Sequence, residues 1–317
     1  MSDSKIKVGI SSCLLGKEVR FDGGHKQSSL CTDTLSRYFD FIAECPEVGI
    51  GLSIPRPPIR LIGDVNKPQA VLNSDNSVNF TDDLAAFGQA KAREHTDLSG
   101  YIFMKNSPSC GLFRVKVYQQ NNIPHRDGGR GIYANVITEA YPLLPVEESG
   151  RLMDPSLREN FITRVFAYSN WQQLRRQGLS SRLLIDFHSR YKYCLMAHAP
   201  QKYSELGKLL ADAGKHDPLE LGERYFAELM AALSQLATRK SHTNALMHIQ
   251  GYLKTSLSPE EKQELSKIIE QYRLGHVPLI VPMVMLKHHF ARHPDEYITR
   301  QAYLQPYPED LGLRNVI

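Results

Sequence analysis

Residues 5–16 read KIKVGISSCLLG, and this stretch decides how the first half of the chain folds. The apolar and β-branched residues of Lys5–Ser11 predict a short buried strand. Cys13 follows that strand directly, in a loop that ends at Gly16. Further strands are predicted at Tyr101–Met104 and at the alternating stretch Phe113–Tyr118, and the apolar run Phe41–Ala43 is either another strand or the tail of a helix. Because helical segments separate them, we expect an α/β domain with a mostly parallel, Rossmann-like sheet.

The second half of the chain has helical periodicity throughout. Asp154 before a proline and the capping box that begins at Ser258 predict the starts of two of its helices. The break between the two patterns falls at Pro142–Gly150. We therefore expect an N-terminal α/β domain at residues 1–148 and a C-terminal all-α domain at residues 152–317.

Composition limits the class of protein. The chain has 317 residues, of which 42% are hydrophobic and 23% charged, so each half can bury a core. The longest strongly apolar run, Val277–Leu286, is too short to cross a bilayer. The first residues contain no apolar stretch of the kind found in secretory signals. Five cysteines, an odd number, argue against a disulfide framework. We expect a cytoplasmic protein without membrane contact, either monomeric or dimeric.

Charge divides unevenly between the halves. Residues 1–150 contain 16 Lys and Arg against 17 Asp and Glu, and residues 151–317 contain 22 against 17. The second half also holds nine of the 12 histidines and ten of the 15 tyrosines. An excess of this size is compatible with an ordinary solvated surface, but it also suits an anionic partner.

Three cysteines follow predicted strands: Cys13, Cys45 and Cys110. If the strands are parallel, the three thiols lie at the carboxyl edge of the sheet, where open α/β sheets place their sites. Three thiolates with one open position suit either a catalytic zinc ion or a 4Fe–4S cluster with one free iron. Cys31 and Cys194 lack such settings, and Cys194 is predicted to lie in a helical core.

The loops around these cysteines resemble a known family. GISSCLLG, ECPEVGIGLSIPR and KNSPSCG are similar to the three signature loops of the thiouracil desulfidase (TudS) family. The segment from about Leu184 to Pro308 resembles the helical YbgA-type domain. Together the two halves resemble the RudS-type desulfidases, two-domain enzymes that act on thiolated uracil and on 4-thiouridine in tRNA.

The resemblance implies a 4Fe–4S cluster bound by Cys13, Cys45 and Cys110, with one iron free of protein ligands. A soft thiocarbonyl sulfur suits that iron, which acts as a Lewis acid while water hydrolyses the C–S bond. No net electron transfer is needed. The expected activity is therefore a non-redox desulfidase that converts 4-thiouridine in tRNA to uridine.

Hydrolysis also needs groups that move protons. The resemblance implies catalytic roles for Glu44, Ser107 and Ser109. Glu47 is a rival carboxylate two residues beyond Cys45. Apart from the resemblance, Glu44 could be a surface residue at a strand end, and the two serines could simply form a turn.

The same edge of the sheet offers substrate-binding groups. We expect the substrate to contact Ser12, Arg20, Asp22, Lys26 and Arg56. The glycine-rich stretch 125–131 precedes a predicted helix, and such a stretch can bind an anion.

The basic helical half is the expected tRNA-binding part. Arginines and lysines can bind phosphates, and tyrosines can stack on exposed bases. The contacts expected with tRNA are Arg190, Lys192, Lys254 and Lys287. Tyr191 and Tyr193 are better explained as core residues between helices.

Three alternatives stay open at this stage. The same chemistry could act on free 2-thiouracil or on a thiouridine nucleotide. The chain could instead be a non-catalytic iron–sulfur protein that binds RNA and regulates. A zinc thiolate hydrolase is the third possibility.

Overall fold

The computed structural model describes residues 5–317, which divide into two compact units. The first unit ends at Met153, and the second runs from Asp154 to Ile317. The first carries a parallel sheet and the second is helical, which confirms the predicted α/β fold class. Within the described residues, no helix combines the length and the apolar character that crossing a membrane requires.

The first unit is built from eight strands and three α-helices within the described range. The strands are β1 Ile6–Ser11, β2 Phe39–Glu44, β3 Ile59–Gly63, β4 Pro68–Leu72, β5 Asp75–Asn79, β6 Tyr101–Phe103, β7 Val117–Tyr118 and β8 Val146–Glu148. The helices are α1 Pro46–Gly49, α2 Thr81–Glu94 and α3 Ile132–Ala140.

A four-stranded parallel sheet forms the centre of this unit, in the order β2-β1-β6-β8. Its strands are short and apolar because both faces of such a sheet are covered. Val8 and Ile10 of β1 are fully buried. A side chain at Gly9 would place its Cβ 2.2 Å from the ring of Tyr101 on the neighbouring strand, so only glycine fits there. The strands predicted around Val8 and Ile102 are therefore confirmed, and the run around Phe41 is a strand rather than the tail of a helix.

A second sheet, with the order β5-β4-β3-β7, was not predicted. Its β3–β4 and β4–β5 pairs are antiparallel, and β3 pairs with β7 in parallel. The predicted strand Phe113–Tyr118 is wrong over most of its length, since only β7 belongs to a strand. The reason is local: Arg114 has a φ of 50°, in the left-handed region, which interrupts an extended chain.

The second unit is an assembly of helices. They are α4 Pro155–Arg176, α5 Ser181–His198, α6 Pro200–Ala211, α7 Pro218–Leu233, α8 Arg239–Gln250, α9 Pro259–Arg273, α10 Ile280–Arg292 and α11 Glu296–Thr299. The predicted helix starts are confirmed. Asp154 accepts hydrogen bonds from two backbone N–H groups of the first turn, and Ser258 forms its capping box with Glu261.

Aromatic side chains fill the core of the second unit. Trp171 stacks on Phe226 with ring centroids 4.6 Å apart. Tyr191, Tyr193 and Cys194 of α5 are all buried, which confirms that they are core residues. Burial of aromatic area of this kind is the main source of stability for a helical unit.

Candidate active site

The register of the parallel sheet brings two cysteine loops together. Ser11, the last residue of β1, pairs with Glu44, the last residue of β2. Cys13 lies in the short 3₁₀ turn that follows β1, and Cys45 follows Glu44 directly and starts α1. Because parallel strands end at the same edge, both cysteines lie beyond the carboxyl edge of the sheet, as predicted.

The third loop, between β6 and Cys110, is tied to the same edge. The backbone N–H of Met104 donates to Ser11 Oγ at 3.0 Å. Ser107 Oγ accepts from the backbone N–H groups of Ser109 and Cys110 at 3.2 and 3.0 Å. The Ser107 side chain therefore builds the turn that presents Cys110.

Helix α3 holds this loop from behind. The N–H groups of Ile132 and Ala134 donate to the carbonyl oxygens of Pro108 and Ser109 at 3.0 and 3.1 Å, and that of Gly131 donates to Gly111 at 2.8 Å. The prediction that the stretch 125–131 can bind an anion at the start of this helix is therefore wrong. These N–H groups donate hydrogen bonds to carbonyl oxygens of the cysteine loop instead.

The three loops enclose a cavity of about 320 Å³, the cysteine cavity. It is lined by three cysteines, Cys13, Cys45 and Cys110, and by the predicted site residues Ser12, Arg20, Lys26, Glu44, Arg56 and Ser107. Asp22 and Ser109 are not among its lining residues. A larger cavity of about 1110 Å³ in the same unit has no cysteine in its lining.

The three thiols are shielded from water. Burial raises the pKa of Cys13 to about 11, and the adjacent Cys45 adds to the rise. Burial also raises the pKa of Cys45 and holds that of Cys110 well above its usual value. Each thiol is neutral on its own at pH 7, and a bound cation would be required to stabilise the three thiolates.

The donor set fits an iron–sulfur cluster. The three soft sulfur donors come from three separate loops, and each would ligate a different iron. Among residues 5–317, no group of three or more His, Cys, Asp or Glu side chains is arranged to hold a metal ion. The fit therefore rests on the chemistry of the thiols and on the cavity that they share.

Glu44 lines the cysteine cavity and is held from behind by helix α2. Its Oε1 lies 3.0 Å from Lys91 Nζ and 3.0 Å from His95 Nε2. Lys91 is in the last turn of the helix, and His95 caps its end. Neither residue was predicted. Their spacing of four positions on one helical face is too common to mark a site.

Glu47 forms a second, separate ion pair. Its Oε2 accepts hydrogen bonds from Arg56 Nε at 2.9 Å and Arg56 Nη2 at 2.7 Å. Its Oε1 accepts from Ser109 Oγ at 2.8 Å. Arg56 is buried and its charge is balanced by this carboxylate, so it presents less positive charge to the cavity than the sequence led us to expect.

The loop from Arg20 to Lys26 forms the outer wall. Arg20 Nε lies 3.5 Å from Asp22 Oδ1, and this buried nitrogen has no hydrogen-bond partner among the described residues. Asp22 Oδ1 instead accepts from the backbone N–H of Gly24 at 3.1 Å and forms a turn. Lys26 is exposed at the cavity rim.

The predicted tRNA contacts of the second unit have different settings. Lys192 Nζ lies 5.1 Å from the ring centroid of Tyr193 and 5.7 Å from those of Tyr203 and Tyr297. Lys254 is exposed, and Lys287 forms an ion pair with Glu309.

Arg190 is only half-buried, and its carbonyl accepts a hydrogen bond from the N–H of Ala302 at 2.9 Å. A further set of basic residues, Lys287, His288, His289 and Arg292, lies on helix α10, and His289 among them is buried.

Comparison with known proteins identifies both halves. The model of the 2-thiouracil desulfurase family matches residues 8–149, and a model described as a protein of unknown function, DUF1722, matches residues 192–308. The uncharacterized protein YbgA of Escherichia coli K12 is 34% identical over 158 residues, which cover 50% of this chain and 94% of YbgA. The chain therefore belongs to the family of YbgA, and its first half belongs to the 2-thiouracil desulfurase family.

Two further relatives each match less than half of this chain. The uncharacterized protein YbbK of Bacillus subtilis 168 is 34% identical over 109 residues, 32% of this chain and 71% of YbbK. The solved structure of a [4Fe-4S]-dependent thiouracil desulfidase, TudS, shows 26% identity and a TM-score of 0.38 over 47% of this chain and 94% of its own. Membership of the 2-thiouracil desulfurase family supports a desulfidase that acts on thiouracil.

Proposed function

We propose that this protein is a cytoplasmic desulfidase that removes sulfur from thiolated uracil in tRNA, converting 4-thiouridine to uridine. The observation that carries the proposal is the cysteine cavity, in which three thiols from separate loops surround one space beside the carboxylate of Glu44. Membership of the desulfurase family supports the same chemistry.

Cys13, Cys45 and Cys110 would bind a 4Fe–4S cluster, and the burial of Cys13 and Cys110 limits the access of water and competing ligands on their side. When bound, the cluster supplies an iron without a protein ligand, a Lewis acid suited to the sulfur of a thiocarbonyl group. The thiols would bind as thiolates, since the positive charge of iron offsets the cost of burying them.

Glu44 is the residue that we assign to proton transfer. Replacing C=S by C=O with water requires a base to take a proton from water and an acid to return one to sulfur. The carboxylate of Glu44 faces the cavity, and Lys91 and His95 both hold its Oε1. The other oxygen, Oε2, takes part in neither contact. His95 links Glu44 to the half-buried end of helix α2 and provides a route for the proton.

The two serines have different roles in this proposal. Ser107 lines the cavity, and its oxygen already accepts two backbone hydrogen bonds, so its hydroxyl proton is available to the substrate. Ser109 donates to Glu47 and is a positioning residue. Ser12, Arg20, Lys26 and Arg56 line the cavity, where they would orient the base.

The second unit would bind the tRNA. This assignment is supported by the excess of 22 Lys and Arg over 17 Asp and Glu in residues 151–317 and by the exposure of Lys254. Lys192 and Arg190 lie on helix α5, and Lys192 is surrounded by three tyrosine rings. Binding through phosphates releases counterions, so we expect the affinity for tRNA to fall steeply with salt concentration.

A second candidate substrate is free 2-thiouracil, which the description of the matched family names. A non-catalytic regulatory role would also use the cluster and RNA, but it would not require a carboxylate at the cavity wall.

Anaerobic reconstitution with iron and sulfide tests these possibilities. The reconstituted protein is incubated with tRNA that contains 4-thiouridine, with 4-thiouridine nucleoside and with 2-thiouracil, in the absence of a reductant. Nucleoside analysis is expected to show uridine in place of 4-thiouridine, with release of sulfide. Turnover of 2-thiouracil with unchanged tRNA would favour the free-base enzyme, and no turnover of any substrate would contradict the desulfidase assignment.

A further inference from the structure

A second groove, of about 440 Å³, continues from the cysteine cavity. Four residues, Phe21, Glu47, Asn106 and Pro108, line both spaces. The two are therefore contiguous, and a molecule larger than a single base could occupy both. We call the second space the flanking groove.

Three cationic side chains line the flanking groove: Arg60, Arg114 and Lys116. Arg114 and Lys116 are exposed. Val115 lies between them and is only 2% exposed, and Val117, which follows Lys116, is 0% exposed. Arg114 and Lys116 thus supply accessible charge to the groove, while the two valines pack in the core.

The acidic residue of the groove does not cancel this charge. Glu47 is already paired with Arg56 and accepts a hydrogen bond from Ser109. Arg60 donates through Nη2 to Asn76 Oδ1 at 3.0 Å, a neutral partner that leaves its charge uncancelled. The flanking groove therefore carries a net positive charge, with the exposed Arg114 and Lys116 as its accessible cations.

Arg114 is fixed in an uncommon conformation, with a φ of 50°. Val115 and Gly129 exchange two backbone hydrogen bonds, at 2.9 and 2.7 Å, next to it. A side chain at Gly128 would place its Cβ 2.7 Å from the Arg114 backbone. Non-glycine residues are uncommon in the left-handed region, and such strained positions are concentrated at binding sites.

Aromatic rings complete the groove. Tyr118 is half-buried, and the guanidinium of Arg60 lies 5.4 Å from its ring centroid. Phe21 lines both spaces and is 39% exposed, so its ring is accessible where the groove meets the cysteine cavity. Rings and cations that alternate in this way are typical of sites for single-stranded nucleic acid.

We propose that the flanking groove binds the nucleotide next to the thiolated uridine, with its phosphate on Arg114 and Lys116 and its base against Phe21 or Tyr118. This inference rests on the proposed function and deepens it. A free base has no phosphate to place there, whereas a polynucleotide whose target base enters the cysteine cavity must continue across the adjoining surface. The groove therefore selects a nucleotide chain over a free base.

Binding of short oligonucleotides tests the groove without requiring turnover. The full chain is titrated with a fluorescent five-nucleotide RNA that carries a central 4-thiouridine, at several salt concentrations. The test variants are Lys116→Ala and Arg114→Gly, the latter because glycine keeps the positive φ while removing the charge. The matched control is Arg93→Ala, an exposed arginine of the same unit outside both cavities.

We expect each test variant to weaken binding and to make the slope of log affinity against log salt shallower by roughly 0.7, the value for one single-strand phosphate contact. The control should bind like the unaltered chain. Equal affinities and slopes for all four proteins would overturn the proposal.

One additional ligand identifies the source of the phosphate. If 4-thiouridine 5′-monophosphate competes as well as the five-nucleotide RNA, the groove accepts a mononucleotide and the polynucleotide assignment is wrong. Desulfidation of tRNA that contains 4-thiouridine is measured in parallel. Its absence would contradict the proposed function but leave the binding result to decide the groove.

Discussion

The Oε1 oxygen of Glu44 lies 3.0 Å from the Nε2 nitrogen of His95, although the two residues are 51 positions apart in the sequence. Glu44 ends a strand at the cysteine cavity, and His95 caps the helix behind it. The contact joins the carboxylate that faces the cysteine cavity to an imidazole ring at the end of the helix behind it.

Glu44→Gln is expected to keep the fold and the cluster but to lower kcat about 10²–10⁴-fold, the usual contribution of a general acid–base group. The amide has nearly the same shape and cannot take a proton. The measurement is single-turnover desulfidation together with iron content. Asp82→Asn, an exposed carboxylate at the start of helix α2, is the control. A Glu44→Gln enzyme that runs at the normal rate would move the proton transfer elsewhere, with Glu47 as the next residue to test.

His95→Gln should lower kcat less than Glu44→Gln and should change the pH profile of kcat, because the glutamine amide can donate to Glu44 from about the position of Nε2 but cannot exchange its proton. A structural role alone would lower activity without changing that profile. The profile is measured between pH 5 and 9 with cluster content as the control. An unchanged profile would show that His95 only positions Glu44.

Alanine at Cys13, Cys45 or Cys110 is expected to abolish a stable cluster, since each would remove one of three protein ligands. Cys31→Ala and Cys194→Ala provide matched controls, because both thiols are buried but neither lines the cysteine cavity. Iron and acid-labile sulfide per chain are measured after anaerobic reconstitution. A full cluster in the Cys110→Ala protein would disprove the ligand assignment.

Glu47→Ala should destabilise the first unit by about 3 kcal/mol, because it leaves the charge of Arg56 buried without its partner. The double variant Glu47→Ala, Arg56→Ala should be less destabilised than the sum of the two single variants. Urea unfolding followed by circular dichroism measures each free energy. Additive effects would mean that the two side chains do not stabilise each other.

The second unit should lose stability in mild acid. Burial lowers the pKa of His188 to about 4, lowers that of His198, and holds that of His242 well below its usual value. In the unfolded chain these rings have pKa values near 6.5, so the unfolded state binds more protons below that pH. The free energy of unfolding should therefore fall as the pH drops from about 6.5 towards 4, by up to ~2 kcal/mol at pH 5 for one such ring.

Trp171 is the single tryptophan of the chain and lies in the core of this unit, so its fluorescence reports the unfolding. His188→Asn should show a smaller loss between pH 7.5 and pH 5 than the unaltered chain. His216→Asn, at an exposed position, should behave like the unaltered chain. Equal losses in all three proteins would mean that His188 is not held neutral.

The sequence was enough to predict the parallel strands, the helices of the second unit and the edge of the sheet at which the three cysteines meet. These features follow from short-range patterns: apolar runs of strand length, capping residues and helical periodicity. Because β1, β2 and β6 are parallel, their carboxyl ends lie at one edge of the sheet. Cys13, Cys45 and Cys110 follow these strands and therefore lie at that edge.

The side chains that meet at the cysteine cavity are known only from the tertiary structure. Lys91 and His95 reach Glu44 because helix α2 packs behind the sheet, and Ser109 and Arg56 converge on Glu47 from two loops. The second sheet escaped prediction because β5, Asp75–Asn79, is polar and wholly exposed and so has no hydrophobic pattern. Contacts between residues far apart in the sequence depend on how the helices and strands pack. A local sequence pattern does not identify those partners.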